Sequence, residues 1–358
     1  MKLQPLSAES RFRPAIYGFI HALVDAACVA AVVRTSRGSY VADLGAFWTV
    51  AGYDMLAFGL EFPLGLLVDR LRLARLSMIL GAAMAAVVLA PGPVPALATM
   101  IVAGVGNALF HLGAGGLVLR SAGGRAAPAG VFVAPGALGL GLGLWMGRTG
   151  RGSTFPIYIA LAFAVVALIT LDKPATVDRD KPIGAGRQPA LLPWLILLVL
   201  LLVSVAVRSF VGFGACFQCA GGLAVAIGLP AAGFLGKLVG GMVADRLGWL
   251  RTSTAALLLS LPLIAFSGGS LFLALPGVLL FQSTMAVTLV AVYALMPRWP
   301  ATAFGLPCLA LIAGAFPTFV PAGKQLFGRW TFVLLIALSA AVLALALRGL
   351  RRHGLARD

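Results

Sequence analysis

Apolar runs of about 20 residues recur along the whole chain, separated by short polar stretches. A helix rises 1.5 Å per residue, so such a run crosses the roughly 30 Å hydrocarbon core of a bilayer. Twelve spans are expected, at roughly 14–34, 43–68, 75–92, 94–119, 126–147, 154–171, 190–214, 219–244, 252–268, 270–296, 300–322 and 330–348. Only 11% of residues are charged and 61% are hydrophobic. Soluble domains carry about 25% charged residues, so this chain has too little polar surface to cover itself in water. The connections are short, and no separate soluble domain fits among them.

One pattern occurs twice. GLEFPLGLLVDRLRLAR, Gly59 to Arg75, returns 176 positions later as GKLVGGMVADRLGWLR, Gly236 to Arg251. Gly65, Asp69, Arg70 and Arg75 fall on Gly241, Asp245, Arg246 and Arg251, while the acid Glu61 falls on the base Lys237. A second echo, Pro128-Ala129-x-x-Phe132-x-x-Pro135 and Pro300-Ala301-x-x-Phe304-x-x-Pro307, has an offset of 172. Two related halves are therefore expected: residues 1–172, a Pro- and charge-rich linker at 173–189, and residues 190–358.

The formal net charge is +16, which in a soluble protein would suggest a nucleic-acid partner. With the N-terminus placed in the cytoplasm, 19 of the 27 Lys and Arg fall in cytoplasmic segments. That is the positive-inside pattern of an even number of spans, and it speaks for topology and against nucleic acid. Both termini are expected in the cytoplasm of a cell with the protein in its inner membrane. Cys216-x-x-Cys219 could oxidise or bind metal, but two small apolar residues packing near a helix end is the plainer reading. No metal or cofactor is expected.

Ionisable groups inside apolar runs are costly and must face a partner or a wet cavity. His21 and Asp25 are four apart on one face of the first span. Asp25 lies about 16 Å beyond Pro14, Glu61 about 12 Å from Asp69, and His111 about 14 Å from Arg120. Arg208 and Lys237 are the bases within the later spans, and Gln282 roughly echoes His111. These seven residues are the candidate substrate and proton site. Asp69, Arg70, Arg75, Asp245, Arg246 and Arg251 lie at span ends. Their carboxylates and guanidiniums suit a gate that bridges helix ends in one conformation and releases them in another.

Twelve spans, two similar halves and the G-x-x-x-D-R turns together resemble the major facilitator superfamily. The first turn has Arg72 where a glycine is common there, while Gly248 keeps it in the second. IHALVDA in the first span and GVGNALFH with SAGGR in and after the fourth resemble fosmidomycin-resistance-type efflux proteins. The resemblance implies a central cavity lined by spans 1, 2, 4, 5, 7, 8, 10 and 11. The acids Asp25 and Glu61 would come from one half and the bases Arg208 and Lys237 from the other.

The expected activity is proton-coupled export of a small organic solute, anionic or zwitterionic, by a monomer working through alternating access. Uptake by symport uses the same residues and stays open. An enzyme is not expected, since no H-E-x-x-H or G-x-S-x-G motif occurs. A non-transporting scaffold would have no need of Glu61 and Lys237.

Overall fold

The computed structural model describes residues 8–37, 44–90, 92, 95–172, 188–219 and 222–356, and all its regular structure is helical. The order is α1 (Ala8–Arg37), α2 (Leu44–Asp54), a π-helical turn (Met55–Gly59), α3 (Glu61–Leu71), α4 (Ala74–Val87), α5 (Ala96–Ser121) and α6 (Ala126–Thr149). Then come α7 (Phe155–Thr170), α8 (Leu191–Gln218), α9 (Leu223–Leu247), α10 (Trp249–Ala265), α11 (Leu271–Gln282) and α12 (Met285–Leu295). The chain ends with α13 (Pro300–Ala315), a 3-10 turn (Phe316–Phe319), α14 (Pro321–Lys324) and α15 (Arg329–Arg352).

Nine helical stretches among the described residues are long and apolar enough to cross a membrane, and the chain is a multi-pass membrane protein. The runs expected at 75–92, 154–171 and 252–268 form shorter apolar helices, α4, α7 and α10. At 14 residues α4 is about 21 Å long, less than the hydrocarbon thickness. Most of the expected 173–189 linker, and its charges Lys173 and Arg187, lie outside the described residues. Two spans are interrupted: one by the π turn between Asp54 and Glu61, one at Ser283-Thr284 between α11 and α12. The run expected at 300–322 stops being α-helical at Ala315, where Pro317 and Pro321 withdraw two backbone donors.

Glycine decides the central packing. A methyl group on Gly139 would lie 2.1 Å from the Ala22 carbonyl oxygen, and one on Gly143 would lie 2.6 Å from that of Ala26. α1 and α6 therefore touch backbone to backbone, the close approach that small residues allow between membrane helices. On another side of α6, Gly130 meets the Lys237 carbonyl and Gly141 meets Pro230 of α9. α6 is a thin helix clamped between α1 and α9. This brings the segment before residue 172 against the segment after 188.

Asp172 ties the ends of three helices. It accepts from Tyr17 at 2.8 Å and faces Arg13 at 3.9 Å and Arg75 at 3.8 Å. Arg75 also donates to the Leu168 and Ile169 carbonyls at 2.9 and 2.8 Å. Those carbonyls belong to the last turn of α7, where no intrahelical donor remains. Arg75 thus binds α4 to α7 within the first segment.

Candidate functional site

Both G-x-x-x-D turns do the same mechanical job. Four residues apart on a helix puts Gly65 and Asp69 on one face. Gly65 lies against Ala301 and Thr302, at the start of α13. Asp69 then accepts from the Ala301 and Thr302 amides at 3.1 and 2.8 Å and from the Thr302 hydroxyl at 2.8 Å. In the second copy Gly241 lies against Ala126 and Ala127, and Asp245 accepts both their amides at 2.8 Å. Each carboxylate fills the orphan donors at a helix N-terminus and complements its dipole. Each capped helix belongs to the other segment, so the pair latches the two segments together at one end. Arg70, Arg246 and Arg251 stay exposed there.

Arg72 explains its own irregularity. It is the one described non-glycine residue with positive φ, at φ 57° and ψ 39°; its amide bonds back to the Asp69 carbonyl and the next amide, of Leu73, to that of Val68. Gly248 ends the equivalent helix at φ 93°. Both turns leave the helix at positive φ, which favours glycine, but Arg72 does so in the left-handed helical region and Gly248 at ψ 142°.

The second echo lies just above the latches. Phe132 is six residues into α6 and Phe304 four residues past the Pro300 that opens α13. Their rings meet edge to face at 5.8 Å. His21 stacks on Phe132 at 4.9 Å, and His111 faces Phe304 at 6.2 Å. The repeated phenylalanines therefore form an aromatic floor under a polar cluster.

That cluster joins four of the seven candidate site residues. His21 Nε2 lies 3.2 Å from Asp25 Oδ2, and His111 Nε2 lies 3.4 Å from Asp25 Oδ1. His111 Nδ1 is 2.8 Å from Glu61 Oε1, and His21 Nδ1 donates to the Phe132 carbonyl at 3.0 Å. Relative exposures run from 0% at Glu61 to 5% at His21. Asn107, which the sequence reading did not select, donates to Asp25 at 2.7 Å and to Tyr53 at 3.2 Å. Cys308 of α13 is buried and lies beside Glu61. Asn107 sits four residues before His111, so the i, i+4 rule that paired His21 with Asp25 could have found it.

The remaining three are placed differently. Lys237 is half-buried on α9, within Coulombic reach of Asp25 and Cys308, and it makes no ion pair with Glu61. The acid that aligns with Lys237 in the repeat thus pairs with a histidine of its own segment. Arg208 lies elsewhere. It bonds the Ser204 carbonyl at 3.2 Å, Thr288 at 2.8 Å and Thr284, all within the second segment. Arg208 joins α8 to α12 within the second segment, as Asp25 joins α1 to α5 within the first. Gln282 packs its Cβ against Gly236 at the end of α11. Cys219 is buried with a free thiol, and the side chain of Cys216 lies outside the described residues.

The fold is that of major facilitator superfamily transporters. The chain superposes on the E. coli fucose:proton symporter FucP with a TM-score of 0.62 at 13% identity, covering 94% of this chain and 98% of that one. A second FucP structure, in the outward conformation, gives 0.60 at 13% identity over 93% and 97%. The human organic anion transporter MFSD10 (TETRAN) gives 0.66 at 17% identity over 95% and 100%. No protein-family model and no curated protein sequence matches the chain.

Proposed function

We propose that the chain is a secondary active transporter that exports a small organic solute, anionic or zwitterionic, in exchange for protons by alternating access. One observation carries this reading. A buried cluster of two carboxylates and two histidines sits within the apolar helices where the two segments meet. Ionisable groups at that depth mark ion or substrate pathways.

The two segments act as six-helix bundles, 1–172 and 190–358, joined by the 173–189 linker, with both termini in the cytoplasm of an inner membrane. Asp69 and Asp245 close the cytoplasmic end, so the described state is one whose cavity faces outward or is shut. A solute anion that engages Lys237 releases Asp25 to take a proton. If the two conformations differ in affinity for either, occupancy drives the rocking of one bundle against the other.

The test is proton-driven flux in proteoliposomes. Asp25→Asn and Glu61→Gln are expected to uncouple solute movement from the proton gradient; full coupling in both variants would refute the proton assignment. A compound panel screened by thermal shift at two pH values supplies the solute, because a ligand stabilises the state it binds. Uptake by symport is the second reading, favoured by the likeness to a fucose:proton symporter. Cells lacking an exporter accumulate the solute, and cells lacking an importer starve for it.

A further inference from the structure

His21, Asp25 and His111 aim three ligand atoms at one spot, all within 4.8 Å of one another. No metal is expected at these residues from the sequence, where only Cys216-x-x-Cys219 has a metal-ligand spacing. The hydrogen-bond pattern fixes how the rings point. A carbonyl oxygen only accepts, so His21 Nδ1 carries a hydrogen toward Phe132 and its Nε2 faces Asp25. An ionised Glu61 accepts the Nδ1 hydrogen of His111, and Nε2 of that ring then faces the Asp25 carboxylate.

Two imidazole lone pairs facing one carboxylate repel unless a cation lies among them. A proton on His21 Nε2 would answer one of them. His111 Nε2 is buried and, 3.4 Å from Asp25 Oδ1, makes no hydrogen bond in this geometry, so a proton there would give an ion pair without a hydrogen bond. A tetrahedral ion with bonds of about 2.0–2.1 Å separates its ligand atoms by about 3.3–3.4 Å. His21 Nε2 lies 3.2 Å from Asp25 Oδ2 and His111 Nε2 lies 3.4 Å from Asp25 Oδ1, and one ligand atom from each residue lies within 4.8 Å of the others, so an ion would draw the three atoms together by about an ångström. Both histidines also have the outer partner that orients a metal-bound imidazole, a backbone carbonyl for one and a carboxylate for the other. Asn107 holds Asp25 in the same way.

We propose that His21, Asp25 and His111 coordinate one divalent first-row transition cation. Imidazole with carboxylate suits zinc, cobalt or nickel. Three protein ligands leave a fourth position for water or an anionic oxygen, as in exchangeable sites and unlike closed structural ones. The groups facing the site from neighbouring helices are Glu61 on α3, Lys237 on α9 and Cys308 on α13. Lys237 opposes the ion by charge. The site stands whether or not the transport reading does, since binding is measured without flux.

The test uses the full chain, purified in detergent, stripped with a chelator and titrated with Co2+. One equivalent is expected to bind, give the visible absorption of a four-coordinate ion and be displaced by Zn2+. His21→Ala and His111→Ala should each weaken binding by at least tenfold. Glu61→Gln, which touches no metal, should weaken it by about 10- to 100-fold through His111. Lys237→Met should tighten it several-fold, a change that a merely structural role would not produce. Gel filtration and melting verify that each variant is folded, and the Lys237 variant gives a readout even where a histidine variant is not. Wild type that binds no equivalent overturns the proposal. So does binding undiminished in the double histidine variant, which places Co2+ on surface groups.

Discussion

Asp69→Ala removes the acceptor of three hydrogen bonds at the start of α13. Loss of an N-cap costs about 0.5–2 kcal/mol, and hydrogen bonds to a charged group contribute about 1.5–3 kcal/mol each. Asp69 is half-buried, so water replaces part of what is lost; about 2–3 kcal/mol is a reasonable total. At 1.4 kcal/mol per tenfold, that is a shift of about 30- to 150-fold in the opening equilibrium. Hydrogen exchange reads it directly, because exchange of a protected amide tracks local opening. In Asp69→Ala the Ala301 and Thr302 amides should exchange faster by that factor. If the two carboxylates form one gate, Ala126 and Ala127 should speed up as well, although their own cap, Asp245, is untouched. Acceleration confined to α13 would show that Asp69 is a helix cap and nothing more. No change at either helix end would refute the latch altogether.

Arg72→Gly relieves a left-handed backbone at φ 57° and should raise stability by up to about 1 kcal/mol, measured as a higher melting temperature in detergent. Thr284→Val with Thr288→Val strips Arg208 of two acceptors while its charge stays buried; a loss of about 3–5 kcal/mol is expected, against a smaller one for Arg208→Met. Equal losses in the two experiments would show that the threonines do not support the guanidinium. Gly139→Ala pushes a methyl group into the Ala22 backbone and should cost about 1–3 kcal/mol with loss of any α1–α6 cross-link formed in wild type. A variant as stable as wild type would mean that α6 can move away freely.

The sequence by itself determined that the chain lives in a membrane, because runs of that length and apolarity have no other stable solvent. It also determined the repeat, and with it the two carboxylates that cap helices and the two phenylalanines that meet. Spacing along a helix exposed His21 with Asp25, since neighbours four apart share a face whatever surrounds them. The tertiary structure decided which distant residues complete that face. Asn107 and His111 reach Asp25 from α5, and Glu61 of α3 reaches His111, only because α1 lies flush on the glycines of α6 and beside α5. It also decided that Arg208 is spent on threonines of its own segment and that Glu61 pairs with His111 of its own segment and not with Lys237. Periodicity records depth and face along one helix. Which helix stands opposite, and at what height, depends on backbone contacts between glycines and partners more than a hundred residues away.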